Sequence, residues 1–129
     1  MTSYNRNINY IFYIFIASHL LLWTFVPSLT NQNLPLDTIE HLAWGSNLDW
    51  GFDKHPPAVA IVLEIFYKIF DSRDWAYYLL SQIFVIISFY YVFKFSKEIF
   101  NNKLLSLLSV LVLEAIYFYN FTTPEFNVN

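Results

Sequence analysis

Three long apolar blocks separated by polar stretches organise the chain. Residues 8–29 are 22 consecutive positions without a charge, ~33 Å of helix at ~1.5 Å per residue, enough to cross a hydrocarbon core about 30 Å thick. The block is too long for a signal peptide and lacks a small-residue cleavage site, so it predicts a spanning helix, kinked or ended near Pro27. Residues 75–93 form a second block of 19 uncharged residues, with tyrosines and a tryptophan at its ends, where amphipathic rings favour the membrane interface. Residues 104–121 form a third, 18 residues interrupted only by Glu114. The pattern predicts an all-α integral membrane fold, a single membrane unit over residues 1–129. It has three transmembrane helices plus short amphipathic juxtamembrane helices in the first outer loop.

The polar stretches orient these spans. Residues 30–74 carry seven acids against three bases, whereas residues 94–103 carry three lysines and one glutamate. Cytoplasmic loops collect Lys and Arg. Residues 94–103 and the N-terminus, which carries Arg6, are therefore expected in the cytoplasm, with residues 30–74 and the tail from Thr122 outside. Within the outer loop, residues 56–70 are apolar but only ~22 Å long as a helix. Pro56-Pro57 suits a helix start, and Glu64 and Lys68, four apart, are placed to pair. This segment reads as a helix lying on or dipping into the outer leaflet; the alternative is a short further span.

Composition agrees with lipid as the solvent. Hydrophobic residues make up 57% of the 129, and only 13% are charged, against about 25% in an ordinary soluble domain. The net charge of −3 offers no basic patch for nucleic acid. The absence of cysteine removes disulfides, thiolate metal sites and cysteine nucleophiles.

Candidate chemistry concentrates in the outer loop. Asp37 with Glu40 three residues on has the spacing of a capping box, in which an N-cap acceptor and a reaching glutamate satisfy helix amides. The same spacing puts Asp37, Glu40 and His41 within one helical turn. Such a group can take a proton from an attacking hydroxyl or hold a hard divalent cation. These residues allow a metal without requiring one, and nothing points to another cofactor. Lys54 and His55 offer positive charge to a phosphate.

The run D-x-x-E-x-x-A-W-G from Asp37 to Gly45, then W-G-x-x-K-H-P-P from Trp50 to Pro57, resembles the first outer loop of GT-C-type glycosyltransferases. The group is that of the dolichyl-phosphate-mannose mannosyltransferases and aminoarabinose transferases, and the Lys-His-Pro-Pro ending is similar to its bacterial Rgt-like members. The tail from Glu125 to Asn129 is similar to the start of that group's second outer loop. The resemblance implies transfer of a sugar from a polyprenyl-phosphate donor to a lipid, glycan or protein acceptor at the outer membrane face. It makes Asp37 the base or metal-contacting carboxylate, with Glu40 sharing the role and Glu125 and Asn127 standing in the second outer loop. Relatives often carry an adjacent Asp-Glu pair, whereas Thr38 follows Asp37 here. Such enzymes have about a dozen spans, so the chain reads as an N-terminal fragment, inactive alone. The competing reading is a small non-enzymatic multi-pass membrane protein or accessory subunit.

His19, Gln82 and Glu114 fall inside the apolar blocks, where polar side chains are costly. His19 and Gln82 are expected to hydrogen-bond between helices. Glu114 is expected to face other helices, protonated or paired.

Overall fold

The computed structural model describes residues 3–47, 49–52 and 56–126. It is all helical, with no strand among the described residues. Five α-helices follow in order: α1 (Ser3–Thr30), α2 (Leu36–Gly45), α3 (Pro57–Phe70), α4 (Asp74–Phe100) and α5 (Lys103–Glu114), then a short π-helical turn (Phe118–Thr122). Asn7–Thr30 and Asp74–Phe100 are long and apolar enough to cross a membrane.

The central element is α4, whose buried positions run from Ala76 to Ser96. Its pairing with α1 is antiparallel: Phe12 stacks on Phe93, His19 meets Gln82, and Asn31 donates to the Tyr78 hydroxyl. Rising numbers on α1 thus meet falling numbers on α4. The chain from α5 onward also runs antiparallel to α4, with Phe89 against Tyr119 and Phe84 against Phe126. One end of the bundle therefore holds the start of α1 and the α4–α5 connection; the other holds α2, α3 and residues 123–126. The apolar core between the three helices is built on Ile8, Phe12, Val85, Phe89, Leu107 and Val110. In lipid, such packing is driven by close van der Waals contact rather than by escape from water.

Local chemistry explains the element ends. Asn101 takes the left-handed conformation (φ 46°) that closes α4, a position asparagine tolerates well. Its neighbour Asn102 caps α5, its side chain accepting from the amides of Leu104 and Leu105. Two asparagines thus fold the chain back. Two hydroxyls inside the apolar helices are satisfied by carbonyls one turn earlier, Ser88 by Phe84 and Ser109 by Leu105.

Three details differ from the sequence-based expectations. First, α1 begins ahead of the apolar block, at Ser3, and it runs through Pro27 to Thr30; intramembrane prolines are tolerated where neighbouring groups compensate. Second, the block at residues 104–121 is not one helix. Helix α5 stops at Glu114, and after a turn Phe118–Thr122 winds as a π-helix. The Asn120 amide donates to the Glu114 carbonyl at 2.7 Å, satisfying a group that the break exposes. Third, the capping box is absent: the N-cap of α2 is Pro35, without a side-chain cap bond, so Asp37 sits inside the first turn.

Candidate functional site

At the loop-bearing end, α2 and α3 pack on each other and on the start of α4. Leu63 of α3 is fully buried against Tyr77 and Leu80 of α4, with Leu34, Leu42 and Phe126 around them. The crossing of α2 and α3 is close because Gly45 has no side chain. A Cβ there would lie 2.8 Å from the Ala60 carbonyl oxygen and 3.1 Å from Glu64 Cβ. Glu64 and Lys68 form their i, i+4 pair at 3.3 Å.

Asp37 and Glu40 stand half-buried on α2, while His41 is fully buried. The His41 Nδ1 lies 2.6 Å from the Asp37 carbonyl oxygen. A carbonyl only accepts, so Nδ1 carries the proton. The ring stands edge-on to Trp44, which stacks on Phe52 at 5.1 Å. This histidine is thus an oriented, buried group. Among the described residues, no three histidine, cysteine or acidic side chains gather in a way that could hold a metal ion.

The tail reaches this face. The Glu125 carboxylate accepts from the Asp37 amide at 3.1 Å, placing negative charge at the N-terminus of α2. Two grooves share Glu125 on their margins. One, of about 520 Å³, runs along α4 past Ser81, Phe84 and Ser88 to Phe118 and Thr123. The other, of about 450 Å³, lies between Trp23, Pro27 and Asn31 of the α1 end and Phe121 and Pro124 of the tail. An apolar channel ending at a carboxylate suits an amphipathic molecule with an apolar chain and a polar head. Lys54, His55 and Asn127, the remaining sequence candidates, lie outside the described residues.

Sequence reasoning did not identify what holds the tail here. Between α1 and α4, His19 Nε2 donates to Gln82 Oε1 at 2.9 Å. His19 Nδ1 lies 2.8 Å from Glu114 Oε2, close enough for an ion pair though not aligned as a straight hydrogen bond. Gln82 in turn faces the Thr123 hydroxyl at 3.4 Å, and the Ser81 hydroxyl donates to the Thr123 carbonyl. Glu114 is only 26% exposed and is paired, as its place in an apolar block required. Serines 81 and 88 and Thr123 carry no sequence signal beyond being polar in an apolar run.

Helices of spanning length around a shared polar cluster, with carboxylates gathered at one end, define a membrane-embedded helical protein with a polar site at its surface. The chain belongs to the dolichyl-phosphate-mannose-protein mannosyltransferase family, a glycosyltransferase family of GT-C type, whose profile matches residues 54–129. The match begins at Lys54, the start of Lys-His-Pro-Pro, and includes Glu125; Asp37 and Glu40 precede it. No curated protein and no solved structure matches the chain.

Proposed function

We propose that this chain is the N-terminal membrane portion of a glycosyltransferase that moves a sugar from a polyprenyl-phosphate donor to an acceptor at the outer membrane face. The observation that carries the reading is the meeting of α2 and the tail in a chain of this family, where the Glu125 carboxylate reaches the Asp37 amide. The antiparallel bundle supports the orientation: it puts the lysine-rich residues 94–103 with the N-terminus at one end and the acidic loop with the tail at the other. Positive loops face the cytoplasm, so the acidic end faces out.

In this reading a carboxylate of α2, Asp37 first and Glu40 beside it, accepts the proton of the acceptor hydroxyl. The hydroxyl oxygen attacks the anomeric carbon, and that carbon's bond to the phosphate oxygen breaks. The polyprenyl phosphate leaves with the electron pair. Lys54 and His55 are assigned to the departing phosphate because cationic groups stabilise the charge that develops there.

The test is Asp37→Asn in the complete enzyme, with transfer from a polyprenyl-phosphate sugar as the assay. Loss of a general base lowers turnover by ~10²–10⁴-fold, with helicity unchanged. Near-normal turnover removes Asp37 from the mechanism.

A further inference from the structure

The opposite end of the bundle carries a second feature that the transfer chemistry does not use. A groove of about 230 Å³ opens there between three helices. Its floor is Phe12 of α1 and Phe93 of α4, the stacked pair of the apolar core. Lys94 and Lys97 of α4 and Lys103 of α5 line it, with Asn9 and Tyr13 of α1 and Tyr90 of α4. Three of the chain's seven basic residues thus converge on one groove of a protein whose net charge is −3. Lys94 lies 5.7 Å over the Tyr90 ring, a cation–π contact that holds the ammonium group beside the groove. Among the described residues no acid pairs with Lys94 or Lys97. Glu98, the sole acid between residues 94 and 103, does not line the groove.

We infer that this groove binds the headgroup of an anionic phospholipid. Charge complementarity selects an anion: the wall offers ammonium groups, phenols and an amide, and no carboxylate. The surroundings select a lipid over a free phosphate. Tyr10, Tyr13, Tyr91 and Phe95, all more than half exposed, ring the same end of the bundle, as aromatic side chains do at the membrane–water boundary. A headgroup among the lysines would leave its acyl chains along these apolar helix faces. Basic pockets between transmembrane helices on the cytoplasmic side recognise anionic headgroups by the same physics.

The test reconstitutes the protein into nanodiscs of equimolar phosphatidylcholine and phosphatidylglycerol and counts, by native mass spectrometry, the lipids retained on release. The wild-type chain should retain phosphatidylglycerol in clear preference, and Lys94→Gln/Lys97→Gln should cut that preference roughly tenfold. Lys94→Arg/Lys97→Arg should keep it, and Lys68→Gln, at the far end, should leave it untouched. Preference unchanged in the double glutamine variant overturns the assignment. So does complete displacement of the retained lipid by inorganic phosphate, which would mark a site for the free anion. Should the double variant fail to fold, the wild-type chain decides: its preference must weaken as salt is raised, and a salt-independent preference overturns the proposal equally.

Discussion

Two polar regions divide the molecule's buried and half-buried chemistry, and they are built differently. Between the packed helices, His19, Gln82 and Glu114 come from three different helices and meet through their side chains, His19 hydrogen-bonding Gln82 and lying 2.8 Å from Glu114. At the loop-bearing end, Asp37, Glu40 and His41 come from one turn of one helix, and the bonds described there run to backbone: His41 to the Asp37 carbonyl, Glu125 to the Asp37 amide. The interior groups are committed to assembly, since an unpaired polar group has no water to fall back on in lipid. At the face, a backbone bond orients the His41 ring, and Asp37 and Glu40 stand half-buried. The regions are joined through residues 118–125, which the interior holds at Asn120 and Thr123 and which deliver Glu125 to the face.

The sharpest way to break this division is His19→Leu. It strips both Gln82 and Glu114 of their shared partner and leaves a carboxylate in an apolar setting. Removing one member of a buried pair costs about 3 kcal/mol or more, read as a lowered midpoint for unfolding in mixed micelles. His19→Leu/Glu114→Leu should recover part of that loss, because no orphaned charge remains. If the single variant unfolds at the wild-type midpoint, the interior cluster does not hold the helices together.

Next in size is Gly45→Ala, which acts at the face alone. The added methyl meets the Ala60 carbonyl oxygen, a backbone atom that cannot swing aside. Helices α2 and α3 must part, at about 1–3 kcal/mol. Transfer activity should fall while the His19–Gln82–Glu114 cluster and the packing of α1 on α4 stay intact. Cysteine cross-linking is well suited to following this, since the chain has no native cysteine. Unchanged activity together with an unchanged α2–α3 cross-link would show that the crossing tolerates a side chain.

How much of this was legible in the sequence depends on the range of the interaction. The apolar blocks and the helix start at Pro56-Pro57 are local signals, and α3 begins at Pro57. That His19 and Gln82 would bond across helices followed from the cost of leaving them bare in lipid. The break after Glu114 was hidden because residues 114–121 contain neither glycine nor proline; the cue, Asn120 reaching back to the Glu114 carbonyl, looks like any polar residue in an apolar run. At α2 the Asp37–Glu40 spacing fitted a capping box, yet Pro35 starts the helix two residues ahead of Asp37 and the amide is met by Glu125. That partner is 88 residues away, beyond what local spacing can show. Gly45 belongs to the same class, since its purpose is the approach of Ala60 and Glu64 from another helix.

The smallest expected effect is also the one that best separates structure from chemistry at the face. Glu125 can serve α2 in two ways, as a hydrogen-bond acceptor for the Asp37 amide and as a negative charge near the helix N-terminus. Glu125→Gln keeps an acceptor oxygen and removes the charge, so the stability loss should be about 0.3–1 kcal/mol. Glu125→Ala removes both and should cost about one hydrogen bond more, ~0.5–1.5 kcal/mol. If Glu125 only positions α2, turnover should follow stability, with Gln close to wild type and Ala below it. A carboxylate that contacts substrate gives the other order: Gln and Ala fall together in turnover while their unfolding midpoints differ. Measuring both quantities on both variants therefore shows whether the tail supplies only support to the face or a third carboxylate beside Asp37 and Glu40.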